Sequence, residues 1–218
     1  MRSKEIEAQK AKLELTPTQR EIVVGILLGD ACLETANLGR TFRLKVEQSA
    51  HHEAYVRHLR AVLGPWVLSG PRRRTKTART GAATVSWAFN TVSHSSFRFY
   101  AQQFYPLGKK RVPKLIHRWL TPRGLAYWFM DDGSVKSSQS KAVLFNTQGF
   151  EPADVERLVN VLNVHFQLAA KPRRQTDGLQ IFVSGESFER FRELVDPYVL
   201  PEMRYKLPQP RRTRMPKE

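Results

Sequence analysis

The chain has 218 residues, 41% of them hydrophobic and 10% aromatic, which is enough to bury the core of one domain or of two small ones. Its 36 lysine and arginine residues outnumber 20 acidic residues, and the net charge of +16 favours a nucleic-acid partner over a membrane surface. The single cysteine excludes an internal disulfide and a cysteine-cluster zinc site, and no apolar run approaches the ~20 residues of a membrane helix.

The first fifteen residues are predicted to be peripheral. They alternate lysine with glutamate and lack the apolar core of a signal peptide, so we expect an intracellular protein, in a bacterial cytoplasm or an organelle, rather than a secreted one. Residues 3–14 are predicted to form a short charged helix.

An almost wholly apolar helix follows and ends in an acid. Thr16 is its candidate N-cap, Pro17 suits its first turn, and Gly29 and Asp30 stand at its C-terminal end. Strand, strand, helix, strand, strand and helix are then predicted over residues 32–35, 41–48, 50–63, 66–69, 84–90 and 94–105. The basic run over residues 72–79 is predicted to be the tip of a hairpin.

The second half repeats this order after a linker over residues 109–120, which contains a short helix over residues 113–119. Its apolar helix, residues 124–133, has Thr121 as its candidate N-cap and ends in Asp131 and Asp132. Strands and helices are then predicted over residues 134–138, 141–147, 152–166, 168–174, 179–183 and 187–195. A basic tail over residues 208–218 closes the chain.

Similarity between the halves extends beyond the apolar helices. Residues 71–73 align with 172–174, both Pro-Arg-Arg, and the alternating Val85, Trp87 and Phe89 align with Leu179, Ile181 and Val183. We therefore predict an α+β fold of two pseudo-symmetric αββαββα lobes, residues 16–108 and 121–207. The lobes would pack through their apolar helices, and their antiparallel sheets would form a saddle that matches the twofold symmetry of a duplex.

The two matched acids indicate a cation site. A helix macrodipole places partial negative charge at the C-terminus, so Asp30 and Asp132 need compensation unless each simply lies in a solvated turn. If the two helices pack side by side with these ends together, the carboxylates meet at one point. Oxygen ligands in such a pair suit a divalent cation, and Mg²⁺ in particular.

Both apolar helices resemble the LAGLIDADG signature of homing endonucleases. The nine-residue motifs are residues 23–31 and 125–133, and the second is similar to the form found in the monomeric two-motif, I-SceI-type branch. The eighth position, which is the catalytic acid of the family, falls on Asp30 and Asp132. The first motif departs from the consensus at Leu28 and Ala31, and the second has Tyr127 where the family often has glycine.

The resemblance implies a Mg²⁺-dependent enzyme that hydrolyses both strands of a long, specific double-stranded DNA target and leaves short 3′ overhangs. It implies a monomer with internal pseudo-twofold symmetry, in which Mn²⁺ substitutes for Mg²⁺ and Ca²⁺ supports binding without turnover. Predicted metal ligands are the carboxylates of Asp30 and Asp132 and the backbone carbonyls of Gly29 and Asp131.

Three further residues are implied near the reacting phosphates: Lys110, Lys206 and Gln148. Either lysine could instead be an ordinary surface residue, and Gln148 could hold a water, contact the scissile strand or cap the following helix. Basic residues of both predicted sheets are the candidates for DNA contact. They are Arg40, Arg43, Lys45, Arg72, Arg73, Arg74, Lys76, Arg79, Lys136, Lys141, Lys171, Arg173 and Arg174.

Two other functions remain compatible with the sequence. An intron RNA maturase or a non-cleaving nucleic-acid-binding regulator could use the same fold, although loss of an acid would be the expected sign and both acids are present. A general basic RNA-binding protein would also explain the charge. It gives no reason, however, for acids at matched positions of two apolar helices.

Overall fold

The computed structural model describes residues 7–8, 10–78 and 80–208, and these fold into two lobes with the same order of elements. The first lobe contains α1 (Pro17–Leu28), β1 (Cys32–Glu34), β2 (Arg43–Ser49), α2 (Glu53–Leu63), β3 (Arg72–Thr77), β4 (Ala83–Asn90) and α3 (Arg98–Phe104). The second contains α4 (Pro122–Asp132), β5 (Gly133–Val135), β6 (Val143–Phe145), α5 (Pro152–Val164), β7 (Ala170–Gln175), β8 (Gly178–Val183) and α6 (Phe188–Val195). The predicted αββαββα repeat and the α+β class are confirmed.

Each lobe has one four-stranded antiparallel sheet, ordered β1-β2-β4-β3 in the first and β5-β6-β8-β7 in the second. When the two sheets are aligned from Asp30 and Asp132, Arg73 and Arg174 occupy equivalent positions. Arg73 pairs with Trp87, and Arg174 pairs with Leu179. The predicted alignment of the two Pro-Arg-Arg runs therefore holds. The predicted alignment of Trp87 with Ile181 was wrong by two residues, because Ile181 pairs with Phe145 as Phe89 pairs with Val46.

The lobes join where α1 crosses α4, and their close approach depends on Gly25. A Cβ built on Gly25 would lie 2.3 Å from the backbone oxygen of Gly124, so only glycine allows this approach. Tyr127, which replaces the family's usual small residue, does not prevent the approach, because its ring lies against Tyr55 and His58. Its hydroxyl is 2.6 Å from His58 Nε2.

Both apolar helices begin at the predicted caps. The Thr16 hydroxyl accepts from the backbone N–H of Gln19, whose side chain accepts from the Thr16 N–H in return, and Thr121 accepts from the Gly124 N–H. These caps satisfy backbone donors that an isolated helix leaves open. No helix in the described part of the chain is long and apolar enough to cross a membrane.

Several predicted elements differ from the structure. Residues 66–69 do not form the predicted strand. Gly64–Trp66 instead form a 3₁₀ turn, which buries Trp66 against Phe97. The basic run is itself the edge strand β3 rather than a hairpin tip. The predicted short helix over residues 113–119 is a 3₁₀ turn over Ile116–Arg118, and a 3₁₀ turn over Pro201–Lys206 was not predicted.

Some predictions fall on residues outside those described. Residues 3–6 and 9 of the predicted N-terminal helix do so; in the described part of that segment the Ala11 N–H donates to the Glu7 carbonyl at 3.0 Å, as in a helical turn. Arg79 and nearly all of the predicted tail over residues 208–218 also lie outside the described residues.

Candidate active site

The C-terminal ends of α1 and α4 lie together, and a carboxylate joins them. Asp131 Oδ2 accepts a hydrogen bond from the backbone N–H of Asp30 at 3.1 Å. The contact is possible because residue 29 is glycine: a Cβ there would lie 2.3 Å from the same carboxylate oxygen. Asp30 is exposed, and Asp131 and Asp132 are half-buried. The structure therefore brings all three acids to one place between the lobes.

The acids are electrostatically unfavourable to one another. Burial, reinforced by the nearby Asp30 and Asp132 carboxylates, raises the pKa of Asp131 well above its usual value. Burial, together with the Asp30 carboxylate, raises the pKa of Asp132 to about 7, although Lys110 and Lys206 oppose that shift. A cation bound here would stabilise the ionised form of both carboxylates and offset their mutual repulsion.

Two lysines compensate the helix ends in matching ways. Lys110 Nζ donates to the carbonyls of Gly29 (2.5 Å) and Ala31 (3.1 Å) at the end of α1. Lys206 Nζ donates to the carbonyls of Met130 (2.5 Å) and Asp131 (2.9 Å) at the end of α4. Cations at helix C-termini are favoured by the macrodipole.

Burial lowers the pKa of both lysines, Lys110 and Lys206, while the neighbouring acids act to raise it. The carbonyls of Gly29 and Asp131, predicted as metal ligands, each accept one of the lysine bonds. Each carbonyl oxygen has two lone pairs and retains acceptor capacity.

Gln48 occupies the centre of the site and was not identified from the sequence. Its Nε2 donates to Asp30 Oδ2 at 2.8 Å and to Asp131 Oδ1 at 2.9 Å. Its Oε1 lies 3.3 Å from His52 Nδ1, and His52 Nε2 lies 2.9 Å from the Tyr205 hydroxyl. The sequence did contain a signal: Gln48 continues the buried face of β2 after Leu44 and Val46, where a polar side chain needs a partner.

Gln148, in contrast, forms no hydrogen bond with any of the three acids within the described part of the chain. It is half-buried in the segment after β6, beside Gly178. By the register of the ladders, Thr147 has the position in the second lobe that Gln48 has in the first, and its hydroxyl donates to the Leu179 carbonyl at 2.7 Å.

The face of each sheet opposite its buried side, here called the saddle face, carries most of the predicted DNA-contact residues. On the first lobe, Glu47 forms ion pairs with Lys76 at 2.8 Å, Lys45 at 3.5 Å and Arg74 at 3.9 Å. Arg43 is paired with Glu34 at 2.8 Å. Acids therefore hold these cations in place on the surface.

The saddle face of the second lobe has an aromatic centre instead. Lys136 and Lys171 each place Nζ 5.5 Å from the Phe182 ring centroid. Arg173 lies on this face, opposite Gln180. The two lobes thus present different chemistry to a duplex.

Four predicted contact residues lie elsewhere. Arg73 and its counterpart Arg174 are directed to the other side of their sheets, because they pair with Trp87 and Leu179. Arg40 is exposed in the loop between β1 and β2, and its carbonyl accepts from the Arg98 guanidinium. Lys141 is paired with Glu189 at 3.1 Å.

The donor set at the junction fits a hard divalent cation. Two carboxylates and two backbone carbonyls supply oxygen only, as Mg²⁺, Mn²⁺ and Ca²⁺ prefer. Among the described residues, no group of three or more His, Cys, Asp or Glu side chains could hold a metal ion. The ligand set predicted at the junction has two such side chains, Asp30 and Asp132, and is completed by the carbonyls of Gly29 and Asp131.

Comparison with known proteins identifies the family to which this chain is similar. A model of the LAGLIDADG DNA endonuclease family matches residues 20–191. Probable intron-encoded endonuclease 1 of Wickerhamomyces canadensis is 33% identical over 198 residues, covering 88% of this chain and 85% of that protein. DNA endonuclease I-ChuI of Chlamydomonas applanata is 30% identical over 212 residues, covering 89% of this chain and 96% of that protein.

The fold also matches a solved complex. The homing endonuclease I-WcaI bound to its DNA recognition sequence superposes with a TM-score of 0.88 and 31% identity, covering 93% of this chain and 91% of that chain. Maturases are similar as well: cytochrome b mRNA maturase bI2 of Debaryomyces hansenii is 28% identical over 86% of this chain and 72% of that protein.

Proposed function

The chain belongs to the LAGLIDADG DNA endonuclease family, and we propose that it cuts both strands of a long, specific DNA duplex at the junction of its two lobes. It acts as a monomer in which each motif contributes one acid, and hydrolysis leaves short 3′ overhangs. The observation that carries the proposal is the hydrogen bond from the Asp30 N–H to the Asp131 carboxylate, which joins the ends of the two motif helices.

The residues of the junction divide the work. Asp30 and Asp132 hold Mg²⁺, with the carbonyls of Gly29 and Asp131 as further oxygen ligands. When bound, Mg²⁺ supplies an activated water and neutralises charge on the scissile phosphate and the leaving oxygen. Lys110 and Lys206 lie at the two helix ends, where their charge stabilises the developing negative charge on each strand.

Target recognition belongs to the saddle face. Arginine that donates both nitrogens to guanine is the commonest specific contact in a major groove, so Arg72 and Arg173 are base-reading candidates at equivalent positions. The lysines around Phe182 suit phosphate contact, and the Phe182 ring suits apolar contact with thymine methyl groups. Because its substrate is DNA, the enzyme acts inside the cell.

The test first needs a target, obtained by selecting cleaved sites from a randomised duplex library in Mg²⁺. Asp30→Asn and Asp132→Asn each keep the side-chain shape and remove a metal-binding charge. Each is expected to lower double-strand cleavage by at least roughly 100-fold. Affinity for the target in Ca²⁺ should stay within a few-fold of wild type.

Asp196→Asn is the matched control, since Asp196 pairs only with surface arginines in the region described. Cleavage in Mg²⁺ by the Asp30→Asn, Asp132→Asn double variant at the wild-type rate would refute the assignment. So would rapid cleavage in Ca²⁺.

A second function is favoured by the similarity to messenger RNA maturases. A maturase activity would promote splicing of an intron RNA and would not require the two acids. Splicing that depends on the protein and survives in the acid double variant would therefore separate the two functions on one fold.

A further inference from the structure

The hydrogen bonds of Gln48 fix the direction in which its amide must point. Only the amide nitrogen can donate, and both of its hydrogens are directed to carboxylates, of Asp30 at 2.8 Å and of Asp131 at 2.9 Å. The amide oxygen is therefore left as an acceptor. Its partner is His52 Nδ1, at 3.3 Å.

This arrangement determines the tautomer of His52. Since Nδ1 must donate to Gln48 Oε1, neutral His52 carries its hydrogen on Nδ1 and accepts at Nε2. The Tyr205 hydroxyl, 2.9 Å from Nε2, is the donor that Nε2 requires. Donation thus runs in one direction, from Tyr205 to His52, from His52 to Gln48, and from Gln48 to both carboxylates.

The chain of hydrogen bonds crosses between the lobes, and among the described residues it reaches the carboxylate of Asp30 and not that of Asp132. Tyr205 belongs to the 3₁₀ turn Pro201–Lys206 of the second lobe, whereas His52 and Gln48 belong to the first. The second lobe has Thr147 at the position of Gln48, and the Thr147 hydroxyl is bonded to the Leu179 carbonyl. In the region described, no equivalent relay reaches Asp132.

We propose that His52 and Tyr205 are positioning residues that orient the Gln48 amide, and through it the Asp30 carboxylate, so that cleavage of one DNA strand depends on this relay and cleavage of the other does not. The inference rests on the proposed roles of Asp30 and Asp132. It makes the two halves of a pseudo-symmetric site functionally unequal.

The test measures the cleavage of each strand separately, on a target duplex that carries a different 5′ label on each strand. His52→Ala removes the donor to Gln48 and is expected to slow one strand by roughly tenfold, as loss of one hydrogen bond near a charged group allows. The other strand should stay within about twofold, so that nicked duplex accumulates. His52→Asn places an amide nitrogen near the position of Nδ1 and is expected to recover most of the lost rate.

Two further variants keep the test decisive. Tyr205→Phe removes only the hydroxyl of a side chain that is 59% exposed, so it should fold normally and show the same strand bias to a smaller degree. His117→Ala is the control, because His117 is exposed and stacks on His165. Equal slowing of both strands, or no rescue by His52→Asn relative to His52→Ala, would overturn the proposal.

A readout without metal or DNA completes the experiment. In the metal-free protein, ¹⁵N chemical shifts of the His52 ring should show the Nδ1–H tautomer, with the His52→Asn spectrum providing the assignment. A dominant Nε2–H tautomer would overturn the relay. Absence of any cleavage by the wild-type enzyme would instead refute the proposed function, so the two failures are distinguishable.

Discussion

Alanine at Gly25 is expected to destabilise the protein, although alanine favours helix. Its Cβ would lie 2.3 Å from the Gly124 oxygen and 3.0 Å from the Gly124 carbonyl carbon and Cα, all of them backbone atoms that cannot turn aside. The two motif helices must therefore separate locally by roughly 1 Å to restore van der Waals contact. Overpacking of this kind costs about 1–3 kcal/mol, and the backbone contact places Gly25→Ala at the upper end.

The gain in helix propensity offsets part of that cost. Glycine to alanine inside a helix contributes about 1 kcal/mol of stability, which leaves a net loss of about 2 kcal/mol. For a chain of this size such a loss lowers Tm by roughly 4–8 °C. Because both acids stand at the ends of these helices, the shift should also lower cleavage, by up to about 100-fold.

Gly124→Ala is the matched control on the facing helix. Its Cβ would lie 3.1 Å from the backbone carbonyl oxygen of Glu21 and 3.3 Å from the flexible Leu120 side chain, distances that movements of a few tenths of an ångström relieve. We expect its unfolding free energy to stay within about 1 kcal/mol of wild type. Urea and thermal unfolding of both variants measure the difference. If Gly25→Ala is as stable as Gly124→Ala, the close approach of the two backbones is not as described.

Three further predictions concern the reading surface and the linker. Glu47→Gln frees Lys76 and Arg74 for phosphates, while Lys45 keeps its ion pair with Glu34, so non-specific DNA affinity should rise and its salt dependence steepen by about one counterion. The Lys76 hydrogen bond lowers the pKa of Glu47 from 4.5 to about 2, so ionised Glu47 stabilises the folded wild-type protein. Acid titrations of unfolding should show that wild type loses this contribution to the free energy of unfolding as pH falls from 4.5 to 2, and that Glu47→Gln shows no such loss. Arg72→Ala should relax target specificity and Arg73→Ala should not, because they lie on opposite faces of β3; equal effects in cleavage-site selection would contradict the register. Asp154→Ala should lower the free energy of unfolding in urea by about 1–3 kcal/mol, because buried Asp154 accepts hydrogen bonds from Arg111, Arg157 and the Val112 N–H, whereas the two arginines stay solvated; no measurable loss would show that these bonds contribute little.

The sequence was sufficient for the features set by local pattern. The apolar runs, their threonine caps and their terminal acids predict α1 and α4, and internal repetition predicts the order of the elements around them. These signals survive because each depends on residues close in the chain.

Features set by distant partners were missed. The basic strand β3 has no hydrophobic alternation, and it forms because its backbone pairs with β4 along the sheet edge. The relay through Gln48 joins residues 153 apart, His52 and Tyr205, which no local pattern connects. The close approach of the helices is between Gly25 and Gly124, which lies one residue before the second motif. The departure from the family consensus at Tyr127 therefore does not affect the packing of the helices.

Three consecutive residues of the linker bind three different places, and this constrains how such nucleases can be recombined. Lys109 reaches Glu151 and Arg111 reaches Asp154 in the second lobe, while Lys110 between them reaches back to the end of the first motif helix. A chimera that takes each lobe from a different parent would therefore lose one set of these contacts wherever the fusion point falls within this tripeptide. Hybrid enzymes built to new targets should carry the segment intact, together with Glu151, the N-cap of α5, and Asp154 in its first turn.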